Sequence, residues 1–250
     1  MAEPQAQSIH GWRAEVGMIA PLPGMYREWG IVAPEGVKFS NVVLGMRQVT
    51  PEGLKQMVGI IEDEAKKLTL GCKKDLICFG CTAGSFIGGP GYDQMLIEKI
   101  EKATDTPTTT TATCMLEIFK DIGIKKIALV GPYVDSIFDV QVKFLKANGI
   151  DVLAVKGLGF SKVTEYWDYY MNPYMGYGIA KDGAKAAPGA DCVFVTCIMS
   201  NIVPTVDTLE KEIGKPVISS LSATLYGILK KLRIPDPVYH YGQALVRPRQ

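Results

Sequence analysis

The chain has 250 residues, 47% of them apolar, enough to bury a substantial core in one large α/β domain or two smaller lobes. With 27 basic and 26 acidic residues the net charge is +1, so no strong positive field is available for a phosphate backbone and nucleic acid is not expected as a partner. No apolar run reaches the roughly 18 to 20 residues that span a bilayer, and the opening MAEPQAQSIHGWRAE is polar where a signal peptide is apolar, so a cytoplasmic protein without membrane association is expected.

Short β-rich runs alternate with longer helical patterns. In chain order the pattern predicts strands at 16–20 and 37–44, a helix at 51–70, a strand at 75–80, a helix at 90–104, and a strand at 108–111. A helix at 113–122, a strand at 126–131, a helix at 134–148 and a strand at 151–155 follow. The aromatic segment 166–177 predicts a loop or a broken helix. Beyond it come a helix at 174–187, a strand at 191–196, a helix at 202–213, a strand at 217–219 and a helix at 221–232. Such alternation implies βαβ units and parallel sheet. Thr50-Pro51-Glu52 reads as a helix start, and Gly123 and Gly149 stand where helices should stop.

Cysteine occurs at positions 72, 78, 81, 114, 192 and 197, and without an export signal these read as thiols. Only His10 and His240 are present, both near the termini, and Cys78-x-x-Cys81 has no second pair at zinc-binding spacing. No metal site is therefore expected. A redox role for Cys78 and Cys81 is disfavoured because Cys78 should lie inside a strand. GGPGY at 88–92 lacks the glycine order of a phosphate loop.

The chain echoes itself. DLICFGCTAGS (75–85) aligns with DCVFVTCIMSN (191–201), which makes Cys81 and Cys197 equivalent. TPTTTTATCMLEIFKDIGI (106–124) resembles KPVISSLSATLYGILKKLRI (215–234), and VGMIAPLPG (16–24) resembles IALVGPYVD (127–135). Two pseudo-equivalent α/β halves are expected. In parallel sheets ligands bind outside the carboxyl ends of the strands, which is where both cysteines fall. One such cysteine is ordinarily an inert packed residue; two at mirrored positions predict thiols on opposite sides of one cleft. Paired thiols suit attack or deprotonation on one face of a planar centre and protonation on the other, the chemistry of racemases and isomerases of small acids. Thr82, Ser85, Thr109, Thr110, Thr111, Thr113, Ser219, Ser220, Ser222 and Tyr133 supply hydroxyl donors near these strand ends, or serve simply as helix caps.

With these residues in view the chain resembles the aspartate/glutamate racemase superfamily, in its maleate cis-trans isomerase and arylmalonate decarboxylase branch. The resemblance runs from about residue 16 to 241 and rests on GMIAPLPG, VTPEG, GCTAGSFIGGPGYD, the threonine-rich strand after Pro107, ALVGPYVDSI, FVTC and PVISSLSA. It implies two pseudo-symmetric lobes, each a short parallel sheet flanked by helices, with the active site between them. The first lobe is expected at 1–112 plus 220–250 and the second at 113–219. It also implies a homodimer, no cofactor, and a small dicarboxylic acid as substrate. By the resemblance Cys81 is the nucleophile that adds to the alkene and Cys197 handles the proton. Thr82 and Tyr133 match carboxylate-binding positions, and Ala83, Ile198, Pro21 and Leu22 are expected to line the substrate. Maleate isomerases carry asparagine in the first loop where this chain has Pro21-Leu22-Pro23, so Leu22, Met25 and Tyr26 point to a substituted or bulkier acid. Decarboxylation with Cys197 as proton donor, racemisation, and plain carboxylate binding remain the alternatives.

Overall fold

The computed structural model describes residues 11–23 and 26–249, the side chains of residues 26 and 27 excepted. Eight strands form two four-stranded sheets, and every pairing is parallel. The first sheet holds β1 (Ala14–Ala20), β2 (Val37–Val43), β3 (Leu76–Phe79) and β4 (Thr108–Thr110) in the order β2-β1-β3-β4. The second holds β5 (Lys126–Tyr133), β6 (Asp151–Phe160), β7 (Cys192–Val195) and β8 (Val217–Ser219) in the order β6-β5-β7-β8. The expected fold class is borne out, because the strand order of one sheet is repeated in the other.

The sequence echo has a physical basis at its aspartates. Asp75 accepts the Glu15 amide at 2.8 Å, and Asp191 accepts the Lys126 amide at 2.8 Å, so each aspartate ties its strand's start to the central strand beside it. Glu101 and Glu210 repeat the device on the next strands, accepting the amides of Thr108 and Val217.

The helices are α1 (Tyr26–Val32), α2 (Pro51–Val58), α3 (Ile61–Leu68), α4 (Thr82–Phe86), α5 (Tyr92–Thr104), α6 (Thr111–Ile122), α7 (Asp135–Ala147), α8 (Val163–Met171), α9 (Pro173–Ala186), α10 (Val206–Ile213), α11 (Ser220–Lys231) and α12 (Gln243–Val246). Thr50 caps α2 by accepting the Gly53 amide, with Pro51 at the first helical position. Gly123 ends α6 at φ 77°, and Gly149 at the same angle follows the end of α7. The helix expected at 51–70 is two helices, parted where Gly59 closes α2. The aromatic segment is a broken helix, α8 and α9, interrupted at Asn172-Pro173. The strand expected to stop at residue 131 runs on through Tyr133.

The central strands are buried on both faces, as parallel sheets require. Along β5, Ile127 and Leu129 join the large core that also contains the first sheet, while Ala128 and Val130 face Ile179, Ala180 and Leu209 on the other side. Among the contacts that join the halves are two made by α6 and α11. Phe119 of α6 meets Phe194 of β7 edge to face, with ring centroids 5.2 Å apart, and Lys231 of α11 donates to the Thr108 carbonyl at 2.9 Å. The helices α6 and α11 pack on each other so closely that a Cβ on Gly227 would stand 2.6 Å from the Cys114 Cβ. Gly227→Ala is expected to lower unfolding stability by about 1–3 kcal/mol through overpacking, read as a shifted urea midpoint at unchanged slope.

Candidate active site

Both mirrored cysteines stand just past a strand's carboxyl end, Cys81 after β3 and Cys197 after β7. Their backbones differ. Cys81 is extended, at φ −137°, and caps α4, its Sγ accepting the Gly84 amide at 3.3 Å. Cys197 is left-handed, at φ 83°. For a residue with a Cβ that conformation costs about 1–3 kcal/mol and persists only where its surroundings hold it. Here Ser200 returns its amide to the Cys197 carbonyl at 3.0 Å and its hydroxyl to the Thr196 carbonyl at 2.7 Å.

The thiols are close enough for charge on Cys197 to raise the pKa of Cys81. Cys81 is 4% exposed and Cys197 5%, so both stand in a site nearly closed to water. Burial is the main cause that pushes each thiol from 9.0 up to about 12. The Gly84 N–H partly offsets this at Cys81, and the Met199 N–H and Tyr133 hydroxyl partly offset it at Cys197. Tyr133, at the end of β5, is itself held well above its ordinary pKa by burial and then by Cys197. It remains a neutral phenol able to donate to a thiolate or a carboxylate oxygen.

The other expected residues are all buried. Leu22, Ala83 and Ile198 belong to the same contiguous core as the two cysteines and Tyr133. Pro21 is buried and its carbonyl accepts the Met46 amide at 2.9 Å, which pins the first loop. Thr82 is buried, and its Oγ1 has no hydrogen-bond partner among the described residues. A sealed, unpaired hydroxyl is costly unless something arrives to meet it. Met25 lies outside the described residues, as does the side chain of Tyr26.

Most of the remaining hydroxyls are helix caps or tie down neighbouring chain. Thr110 accepts the Thr113 amide, Thr113 donates to Asp93, and Ser219 and Ser222 cap α11 reciprocally. Ser85 donates to the Cys81 carbonyl at 2.8 Å and accepts the Ala112 amide. Cys78 sits inside β3, as expected, and interacts with Cys114 rather than pairing with Cys81. Among the described residues no cluster of three or more His, Cys, Asp or Glu side chains is arranged to hold a metal ion.

Two residues of the site were missed from sequence. Tyr166 and Tyr169 project from α8 into the same buried region: negative charge on either Cys81 or Cys197 raises the Tyr166 pKa, and charge on Cys197 raises that of Tyr169. Tyr166 donates to the Phe160 carbonyl at 3.2 Å and lies 6.2 Å from the Tyr133 ring, while Tyr169 and Ser200 share a hydrogen bond of 3.0 Å. Their spacing of three within one helix was the available signal, since it puts both on one face.

The mirrored strand ends bring Cys81 and Cys197 into one buried region of a two-lobed α/β fold. Residues 16–245 match the arylmalonate decarboxylase family, and the chain belongs to it. It is 24% identical to a maleate isomerase of Geobacillus stearothermophilus over 92% of this chain and 96% of that protein. It is also 24% identical to an arylmalonate decarboxylase of Bordetella bronchiseptica, over 86% and 89% respectively. Among solved structures, a mutant maleate cis-trans isomerase of Nocardia farcinica with a covalently bound succinylcysteine intermediate shares the fold at a TM-score of 0.84, with 21% identity, over 93% of this chain and 98% of that one.

The raised thiol pKa values set the pH response. Below its folded pKa each thiol is almost wholly protonated, and its thiolate fraction grows tenfold per pH unit. Alkylation of Cys81 and Cys197 by iodoacetamide, followed by peptide mass spectrometry, is expected to climb from pH 8 through pH 11; a plateau near pH 9 would contradict the burial argument.

Proposed function

We propose that the chain is a cofactor-independent isomerase of a small dicarboxylate, converting maleate or a substituted maleate to the trans diacid. The observation that carries this reading is the pair of thiols, delivered by mirrored strand ends to one buried site beside Tyr133.

Burial keeps both thiols protonated in the free protein, and repulsion between like charges in so dry a place lets only one ionise at a time. The singly ionised pair, one thiolate beside one thiol, is the form an addition–elimination needs. Cys81 as thiolate adds to one alkene carbon, forming a C–S bond, and the π pair moves to the neighbouring carbon and its carboxylate. Cys197 gives that carbon its proton and becomes the thiolate. The former double bond is now single and rotates. Cys197 then takes a proton back, the double bond re-forms, and the C–S bond breaks to release Cys81 as thiolate. Protons and electrons balance without oxidant, reductant or co-reactant. Thr82, with its unpaired hydroxyl, and Tyr133 hold carboxylate oxygens as neutral donors, while Pro21, Leu22, Ala83 and Ile198 shape the apolar walls. Leu22 in place of a polar contact favours a substituted acid.

The same reading carries its finer parts. The lobes are 1–112 plus 220–250 and 113–219; Phe119 leaning on Phe194 and Lys231 reaching Thr108 support each final helix crossing to the opposite lobe. The enzyme works as a homodimer, by the family resemblance, and in the cytoplasm, where six free thiols remain reduced. Among the described residues no helix is long and apolar enough to cross a membrane.

Proton NMR with maleate, citraconate, substituted malonates and aspartate tests the reaction class. The trans isomer of maleate or citraconate is the expected product. Carbon dioxide loss from a malonate, or α-hydrogen exchange in aspartate, would transfer the assignment to decarboxylase or racemase, and silence on every acid would favour a carboxylate-binding protein. Cys81→Ala and Cys197→Ala are each expected to cut turnover by at least about a hundredfold; a fully active Cys81→Ala beside a dead Cys197→Ala would select the decarboxylase.

A further inference from the structure

Cys197 has no helix after it to fix its thiol, unlike Cys81, and its left-handed backbone must be held by something else. The residue before it does the holding. The Thr196 amide donates to the Val130 carbonyl at 2.8 Å and its carbonyl accepts the Ser200 hydroxyl. Gly131 lies flush against it, where a Cβ would come within 3.0 Å of the Thr196 carbonyl oxygen. The Thr196 hydroxyl is met at 2.9 Å by Nε2 of Gln141.

Gln141 is an unusual residue for its place. It is fully buried on the inner face of α7, among Ile137, Phe138, Phe144 and Leu145, at a position that helical spacing reserves for apolar side chains. Its Oε1 has no partner among the described residues. A carboxamide sealed there with one half unsatisfied is costly where an apolar side chain would not be, so its presence is explained by what its bonded half does.

We propose that Gln141 is a positioning residue: by clamping Thr196 it holds the left-handed turn that aims the Cys197 thiol at Tyr133 and at the reacting carbon. Its geometry stands by itself, and its catalytic consequence rests on the two-thiol reading of the site. The groups that face the Cys197 thiol are the Tyr133 hydroxyl from β5, Tyr166 and Tyr169 from α8, Cys81 from beyond β3, and the Met199 N–H of its own turn. Loss of the clamp moves the thiol relative to all of them and leaves the Cys81 cap at Gly84 untouched.

The test uses Gln141→Met and Thr196→Val, singly and together, in the full chain. The first keeps volume and the second keeps shape, and each removes the same hydrogen bond from one side, so one folded variant suffices to read it. Iodoacetamide alkylation is followed separately at each cysteine across pH. Each single variant is expected to change the Cys197 profile by clearly more than the Cys81 profile, which responds only through its coupling to Cys197. The kcat on the acid turned over should fall about 10- to 100-fold, as for a small misplacement of a reacting group, with KM nearly constant and the double variant no worse than the worse single one. An unchanged Cys197 profile in the singles, or equal changes at Cys81 and Cys197 as general loosening produces, overturns the proposal. If the unsubstituted protein is inert toward every acid, the isomerase reading fails, and the two alkylation profiles alone decide the role of Gln141.

Discussion

Two thiols in a site nearly closed to water can share one negative charge far more readily than they can carry two. Burial raises both Cys81 and Cys197, and charge on Cys197 raises Cys81 further. This constraint gives the rest of the molecule its purpose. At pH 7 burial keeps both thiols protonated, and once one of them ionises the other is held as a thiol, which is the pairing of nucleophile and acid that the proposed reaction uses. The surrounding partners are neutral: Tyr133, the Gly84 and Met199 amides, and the tyrosines of α8. A fixed cation close by would favour ionising both thiols and weaken the division of labour.

The fold delivers the pair through repetition. The same strand order in each sheet puts β3 and β7 in equivalent places beside β1 and β5, and parallel pairing makes both run toward their carboxyl ends at the site. Asp75 and Asp191 tie the start of these strands to β1 and β5, which fixes how far each strand reaches before its cysteine. The repeat is then broken at the thiols themselves. Cys81 caps a short helix, while Cys197 occupies a strained turn braced from Thr196. Equivalent positions with unequal backbones suit thiols that perform unequal steps.

Much of this was legible in the sequence, and the omissions have physical causes. The echo between 75–85 and 191–201 found both thiols because it preserved aspartate, apolar strand and cysteine in order. The five residues of α4 are too few to show a helical period, and Thr-Ala-Gly-Ser reads as loop. The segment α8 was obscured by aromatic residues of modest helix propensity ending at Asn172-Pro173, and with it went Tyr166 and Tyr169. Gln141 was overlooked because a glutamine in a helix ordinarily faces solvent. Its signal was its spacing from Ile137 and Leu145, four residues on either side along the apolar stripe. Of the two readings that the hydroxyl-rich loops allow, ligand donor or helix cap, the structure gives Thr110, Ser219 and Ser222 the second.

The central claim is that Cys81 makes a covalent bond to substrate while Cys197 manages the proton. Acid quench of the protein during turnover of maleate or citraconate, followed by peptide mass spectrometry, tests it most directly. A saturated diacid adduct on Cys81 alone is the predicted result, absent from Cys81→Ala. An adduct on Cys197, or turnover by Cys81→Ala at the rate of the unsubstituted protein, would contradict it.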